Sequence, residues 1–224
     1  MNRRLSALLL AGTAAATLPC LDVPPCDNGR GTVQYNKTVP NAENDFPNTQ
    51  VDLCYTDSTI EITFTAFGEV NFFYNESQVT NDPIYEYEVM EAFIYKGTND
   101  PTSYIEFEVS PNNVIWQGFI YNPSKLRTTG APFDNGQLTD PIGDGLVTTT
   151  SLDKDAGIWV SNASLPLKLF NVDDGEAEGT EWRMNFFRTV VAPDTFPDQL
   201  LGAWSPTNES SFHMTPFFGD VTFI

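Results

Sequence analysis

Positive charge is scarce in this sequence. Its 224 residues include 11 Lys and Arg against 30 Asp and Glu, which gives a formal net charge of −19 at pH 7. The basic residues form no cluster, so the surface would repel a nucleic acid or an anionic membrane. The sequence therefore argues against both of these partners. It is compatible with a neutral sugar, with a cation, or with a charge that serves only solubility.

Histidine and cysteine are also rare. His213 is the only histidine, and Cys20, Cys26 and Cys54 are the only cysteines. No C-x-x-C spacing occurs, so these residues form no recognisable metal site. In an oxidising compartment Cys54 can pair with Cys26 or with Cys20 and tie the N-terminal arm to the sheet, which leaves one thiol over.

The start of the chain has the order of features found in secretory signal peptides. Arg3 and Arg4 precede an apolar run over residues 5–16 that ends in three alanines, so we predict a signal peptide over residues 1–16. No later stretch is apolar enough to span a membrane, and we expect a soluble, secreted product. Four N-x-S/T sites permit glycosylation: Asn36, Asn75, Asn162 and Asn208.

After the predicted signal peptide, no stretch of the sequence has the apolar periodicity of a helix, although a short helical turn is predicted near residues 165–170. Residues 17–48 are rich in Pro, Asn and Gly and predict an irregular arm with one short strand near residues 32–35. From residue 49 onward, alternating apolar and polar residues predict short strands, and the clearest covers residues 59–66. Further strands are predicted over 51–55, 103–109, 114–121, 145–150, 158–161, 182–190 and 220–223, with a loop over 122–144. We therefore predict an all-β, antiparallel β-sandwich that forms a single domain over residues 49–224.

Two groups of residues could carry chemistry, one as a pair of catalytic carboxylates and the other as haem ligands. Glu86, Glu88 and Glu91 resemble the E-x-D-x-x-E motif of glycoside hydrolase family 16, in which paired carboxylates act as nucleophile and acid/base. On a regular strand, however, Glu91 would face away from the other two. The second reading is haem ligation by Met90 and His213, although a lone histidine among phenylalanines is more often a packed structural residue.

Aromatic side chains offer flat apolar faces that suit a sugar ring. Candidate platforms are Tyr85, Trp116, Trp159 and Trp204. Trp159 and Trp182 lie in apolar strands and are predicted to belong to the core. Trp204 lies in the loop-like segment 202–208, so we predict that it reaches a binding surface. Tyr85 stands six residues before Glu91 and is predicted to share its strand face.

The order of several short motifs resembles the carbohydrate-binding module family 9-like (DOMON-like) β-sandwich domains. The matching segments are 89–94, 104–111, 165–167, 182–188, 204–206 and 213–223, so the resemblance covers roughly residues 51–224. It implies a non-catalytic, jelly-roll-type sandwich that binds a sugar through aromatic rings beside a carboxylate. Glu91 and Trp204 match the acidic and aromatic positions of the family, and Tyr85 stands where binding members prefer Trp. Asn185 and Arg188 match its N-F-x-R motif.

The prediction is thus a secreted, monomeric protein that binds a cell-wall-type polysaccharide or oligosaccharide without catalysis. It requires no cofactor, and the resemblance implies a structural calcium ion. The predicted carbohydrate-binding residues are Tyr85, Glu91, Asn185, Arg188 and Trp204. The alternatives are a glycoside hydrolase that uses Glu86 and Glu91, electron transfer through haem, and an extracellular structural protein without a small ligand.

Overall fold

The computed structural model describes residues 17–224, so the predicted signal peptide lies outside the described residues. Within this range the chain forms short β-strands connected by loops and by 3₁₀ turns. The strands are β1 (Cys20–Val23), β2 (Gly31–Lys37), β3 (Asp45–Tyr55), β4 (Thr59–Phe67), β5 (Val89–Lys96), β6 (Ser103–Val109), β7 (Ile115–Tyr121), β8 (Asp134–Gln137), β9 (Val147–Asp153), β10 (Ile158–Pro166), β11 (Glu181–Val190), β12 (Leu200–Ala203) and β13 (Gly219–Phe223). The 3₁₀ turns are Cys26–Asn28, Ile84–Glu86, Leu167–Phe170 and Thr215–Phe217.

The strands form two sheets that pack face to face. The larger sheet has the order β1-β13-β11-β5-β6-β7-β8, and β12 pairs with one end of β11. The smaller sheet has the order β2-β3-β4-β10-β9. All pairings are antiparallel except that of β1 with β13, which is parallel. The predicted all-β sandwich is therefore confirmed.

The main hydrophobic core lies between the sheets and follows the alternation of the strands. On β4, Ile60, Ile62, Phe64 and Ala66 are buried, while the residues between them are half-exposed. Burying one such large apolar side chain contributes about 1.5–3 kcal/mol before conformational entropy is counted. Trp159 and Trp182 belong to this core, as the sequence predicts.

A second hydrophobic cluster covers the opposite face of the larger sheet, which we call the outer face. Phe93 on β5, Trp116 on β7 and Phe187 on β11 point to this side. Ile84 and Phe212 from long connecting segments pack on top of them. The central strands are therefore covered on both faces, which explains why β5 is buried over its first six residues.

The arm over residues 17–48 contains the one predicted short strand, found as β2, but its irregular remainder is wrong in part, because it also holds β1 and the start of β3. β1 pairs with β13 in the larger sheet, and β2 pairs with β3 in the smaller one. A disulfide joins Cys26 to Cys54 on β3, whereas Cys20 is a free, exposed thiol. Of the two pairings that the sequence allows for Cys54, the structure selects the one with Cys26.

Candidate functional site

A pocket of about 520 Å³ opens on the outer face of the larger sheet. Its floor is formed by side chains of β5, β6 and β7, and its rim by the connecting segments that hold Tyr85, Arg127, Phe133 and His213. The volume lies within the roughly 300–1,000 Å³ that is typical of small-molecule sites. The larger sheet thus supplies a rigid base, and the covering loops supply the walls.

Three carboxyl groups from adjacent strands line this pocket. Glu91 on β5 is the register partner of Glu108 on β6, and Glu106 lies two residues from Glu108 on the same face. Directly opposed residues on paired strands have Cβ atoms about 4.5–5.5 Å apart. Glu91, Glu106 and Glu108 are 4%, 6% and 3% exposed. We call these three residues the carboxyl cluster.

Burial is the main electrostatic influence on the carboxyl cluster. It raises the pKa of Glu91, Glu106 and Glu108 well above the ordinary range, because the charged form loses hydration. Repulsion adds to the shift in each case: Glu108 acts on Glu91, Glu91 on Glu106, and Glu106 on Glu108. A hydrogen bond between the Glu106 and Glu108 side chains lowers the pKa of Glu106 and raises the pKa of Glu108. No ion pair among the described residues involves any of the three. The cluster therefore takes up protons more readily than ordinary glutamates.

Trp116 forms an aromatic wall beside the carboxyl cluster. It is the register partner of Glu108, so its indole lies on the same outer face. Gly118 makes room for the ring, since a Cβ at this position would lie 2.8 Å from the indole Cη2 atom and equally close to the Gly136 carbonyl oxygen. The missing side chain at Gly118 is thus what allows the indole to occupy this part of the pocket wall.

The rim combines aromatic, amide and basic groups. The Arg127 guanidinium lies 3.6 Å from the centre of the Phe133 ring, a cation–π contact. Tyr85 is 55% exposed, and its carbonyl oxygen accepts a 2.7 Å hydrogen bond from the Gln199 amide. The Gln137 amide donates to the Asn81 carbonyl at 2.8 Å and links β8 to the segment before β5. Flat faces and hydrogen-bonding groups are therefore presented side by side.

His213 stands at the pocket wall as a neutral group. Burial, followed by the nearby charge of Arg127, lowers its pKa to about 3. Its Nδ1 atom lies 2.7 Å from the Tyr104 hydroxyl, and its ring stacks on Phe93. Met90 points to the core between the sheets, so His213 and Met90 lie on opposite faces and cannot ligate one haem.

The structure brings together two of the five predicted carbohydrate-binding residues. Tyr85 and Glu91 both line the pocket. Their relationship differs from the predicted one, because Tyr85 lies in the 3₁₀ turn Ile84–Glu86 and β5 begins only at Val89. The prediction that Tyr85 shares a strand face with Glu91 is therefore wrong, although both side chains line the same pocket.

Trp204 lies elsewhere, and the predicted open surface shared with Glu91 is wrong. Its ring centre is 5.6 Å from that of Phe186, which belongs to the core between the sheets. Gly219 provides the space on another side of the indole. Glu91 points to the outer face, whereas Phe186 points to the inner one. Contact with core residues therefore directs Trp204 away from the pocket.

Asn185 and Arg188 are buried and do not line the pocket. The Asn185 amide donates to the Ser205 carbonyl at 2.9 Å, and its Oδ1 atom accepts from the Ser205 N–H at 3.0 Å. Arg188 is fully buried on the inner face and bonds Glu69 Oε2 through Nη2 at 2.6 Å. Burial alone would raise the pKa of Glu69, but the guanidinium and the N–H groups of residues 71 and 72 lower it overall. Both contacts hold the fold together.

The E-x-D-x-x-E-like segment does not assemble three carboxylates. Glu86 is exposed on its 3₁₀ turn and does not line the pocket. Glu88 is buried and accepts hydrogen bonds from the N–H groups of Phe73 and Val191 at 2.8 and 3.3 Å. Burial raises the pKa of Glu88 to about 7. The proposed catalytic pair of Glu86 and Glu91 therefore has no shared site.

Sequence reasoning missed Glu106 and Glu108 as members of the site. The alternation on β6 correctly predicts that both face away from the core between the sheets. An outward carboxylate is ordinarily a solvated one, so this pattern alone gave no reason to select them. The unrecognised feature is the cover of loops that converts the outer face into a pocket.

Two further kinds of feature are absent from the described residues 17–224. No set of three or more His, Cys, Asp or Glu side chains in this range is arranged to hold a metal ion. The structural calcium ion stays a prediction. In the same range, no helix has the length and apolar character needed to cross a membrane.

Comparison with solved structures identifies the class of fold. A crystal structure from Bacteroides uniformis ATCC 8492, named "a putative carbohydrate-binding protein", superposes with a TM-score of 0.71 at 15% identity and covers 93% of this chain and 100% of its own. A carbohydrate-binding module of family 9 from Caldicellulosiruptor kristjanssonii in complex with cellotriose gives 0.58 at 14%, covering 92% and 93%. The module in complex with glucose gives 0.59 at 14%, covering 92% and 96%. The chain has the β-sandwich fold of these carbohydrate-binding proteins.

The sequence itself has a much nearer relative. No family model matches the chain. An extracellular protein of Arthroderma benhamiae (strain ATCC MYA-4681 / CBS 112371) is 48% identical over 220 residues, which cover 98% of this chain and 97% of the relative. The chain belongs to the same family as this extracellular protein.

Proposed function

We propose that the chain is a secreted, non-catalytic carbohydrate-binding protein that holds a cell-wall-type glycan in the outer-face pocket. The observation that carries the proposal is the composition of this pocket. It places the carboxyl cluster beside the indole of Trp116 and the exposed ring of Tyr85. Sugar-binding sites need this combination of polar groups for the hydroxyls and flat faces for the C–H side of the ring.

The ligands of the comparison proteins support the same ligand class. The two family 9 module structures are complexes with cellotriose and with glucose, and the Bacteroides uniformis protein is named for carbohydrate binding. The relative from Arthroderma benhamiae is described as extracellular, which agrees with the predicted signal peptide. The ligand and the location are carried over to this chain as part of the proposal.

A pair of tyrosine variants tests the proposed site. Tyr85 and Tyr121 are 55% and 51% exposed, but only Tyr85 lines the pocket. Tyr85→Ala and Tyr121→Ala therefore remove the same side chain at matched exposure, and neither opens a cavity in the core. The assay is affinity electrophoresis of wild type and both variants in gels that contain β-glucan, xylan, mannan, chitin oligosaccharides or chitosan.

We expect retardation of the wild-type protein by at least one glycan. Tyr85→Ala should weaken that binding about tenfold, which corresponds to about 1.4 kcal/mol, whereas Tyr121→Ala should leave it unchanged. Equal effects of the two substitutions would overturn the proposed site. Absence of binding to every glycan would overturn the proposed function and favour an extracellular structural protein.

Hydrolysis is a second candidate, because the pocket holds several carboxyl groups. A glycosidase needs one protonated carboxyl group and one ionised partner. The raised pKa values of Glu91, Glu106 and Glu108 suit the acid, but none of the three has a cation that would keep it ionised. Reducing sugar released by wild type and lost in Glu91→Gln would establish catalysis, and its absence supports the binding function.

A further inference from the structure

The carboxyl cluster differs from the other buried glutamates among the described residues, because its three side chains have neither an ion-pair partner nor a backbone hydrogen bond. Glu69 is neutralised by Arg188 at 2.6 Å, and Glu88 accepts two backbone hydrogen bonds. Glu108, by contrast, has an Oε2 atom in the pocket wall that is shielded from solvent and has no hydrogen-bond partner. Buried polar atoms are ordinarily paired, so an unpaired one in a pocket wall points to a group that arrives with the ligand.

A positively charged group would fit this part of the pocket wall. An isolated buried carboxylate is costly because it loses hydration, and three neighbouring ones add mutual repulsion. A cation placed among them would remove both penalties at once. The Trp116 indole beside Glu108 suits an ammonium group, since cations are attracted to aromatic faces.

We propose that the pocket selects an amino sugar, with the free ammonium group of a 2-amino-2-deoxyhexose unit received by Glu91, Glu106 and Glu108. This inference rests on the proposed carbohydrate-binding function and names its substrate class. The aromatic and amide groups of the wall hold the sugar ring, and the carboxyl cluster distinguishes a free amine from its N-acetylated form. An N-acetylated unit is neutral and brings a methyl group instead of a charge to the cluster.

The pH dependence of binding follows from the groups that face the pocket. Strand β5 contributes Glu91, and strand β6 contributes Glu106, Glu108 and Tyr104. The covering segments contribute Arg127 and His213, and Tyr85 stands at the rim. His213 is neutral, and burial raises the pKa of Tyr104, so neither changes charge between pH 4 and pH 7. The ligand ammonium favours ionised carboxylates, so its binding should release protons and strengthen as the pH rises above the ordinary pKa of a carboxyl group.

The experiment compares short chitosan oligosaccharides with their fully N-acetylated counterparts of equal length by isothermal titration calorimetry. Measurements in two buffers of different ionisation enthalpy report the protons released. Glu108→Gln removes one carboxyl group from the cluster without changing its size. Glu86→Gln removes one exposed carboxyl group that does not line the pocket. The second variant controls for non-specific attraction between a cationic ligand and a chain of net charge −19.

We expect the free amine to bind at least tenfold more tightly than the acetylated ligand, with release of protons. Glu108→Gln should lose at least tenfold in affinity, and Glu86→Gln should match wild type. Equal losses in both variants would show general charge attraction and overturn the inference. Equal or tighter binding of the acetylated ligand, or of a neutral glucan, would also overturn it and leave the proposed function standing. Absence of binding to amino, acetylated and neutral sugars alike would overturn both.

Discussion

Replacing Arg188 with methionine should destabilise the protein strongly without touching the pocket. The guanidinium is fully buried and pairs with Glu69 at 2.6 Å, and Nη1 also donates to Thr49 Oγ1 at 3.3 Å and to the Phe67 carbonyl at 3.4 Å. Removing one partner of a buried ion pair costs about 3–5 kcal/mol. For a domain of this size each kcal/mol lowers the melting temperature by about 2–4 °C, so we expect a loss of about 10 °C.

The loss of stability in Arg188→Met should also depend on pH in a defined direction. In wild type the pKa of Glu69 is lowered, so the pair stabilises the fold above the carboxyl group's ordinary pKa and is lost as the pH falls through the lowered value. Without Arg188 the buried Glu69 must remain uncharged or be buried as an unpaired ion. The penalty of Arg188→Met should therefore be larger at pH 7 than at pH 4.

Calorimetric melting of two further variants completes the assay. The double variant Arg188→Met/Glu69→Gln removes the orphaned charge and should recover most of the loss. Lys168→Met removes an exposed partner of Asp174 and should cost less than about 1 kcal/mol. A change in Arg188→Met no larger than in Lys168→Met, or an equal penalty at both pH values, would refute this account of the pair. Glycan affinity of the folded variant should equal that of wild type, since Arg188 does not line the pocket.

Three other predictions concern the pocket and the arm. Gly118→Ala should weaken glycan binding, because the added Cβ displaces Trp116. The control is Gly136→Ala, whose added Cβ meets no atom within 4 Å and should leave binding unchanged. Equal affinities of the two variants would contradict this role of Gly118. Glu108→Gln should raise the melting temperature at pH 8 more than at pH 4. Burial raises the pKa of Glu108 in the folded protein, so the protonated carboxyl group stabilises the fold at low pH and this stability is lost as the pH rises through the raised pKa. An equal shift in melting temperature at both pH values would argue against a perturbed carboxyl group. Cys54→Ser removes a crosslink over 28 residues and should cost roughly 3.5 kcal/mol by loop entropy, measured by urea unfolding; a loss below about 1 kcal/mol would contradict it.

The sandwich could be predicted because its signal is local and repeated. The alternation in β4 and the apolar pattern around Trp182 each define a buried face without reference to the rest of the chain. The arm over residues 17–48 was harder to predict, since β1 is held by pairing with β13 at the far end of the chain. Its Pro, Asn and Gly content indicates turns, and the turns are present between the strands.

The site could be predicted only in part. Glu91 and Tyr85 were identified, and both line the pocket. Trp204 was misplaced because a loop-like sequence does not reveal that the ring packs against Phe186. Glu106 and Glu108 were missed because their burial is caused by segments that lie far away in the sequence. Local patterns assign a face to a side chain, but only the fold shows what covers that face.

The central claim is that saccharide binds at Trp116 on the outer face and not at Trp204. The chain has four tryptophans, of which Trp116 alone lines the pocket. Fluorine NMR of protein labelled with 5-fluorotryptophan, assigned by single Trp→Phe variants, resolves them during titration with a saccharide that binds. A ligand-dependent shift of the Trp116 resonance, with Trp159, Trp182 and Trp204 unchanged, is the predicted result. A shift confined to Trp204 would contradict the account.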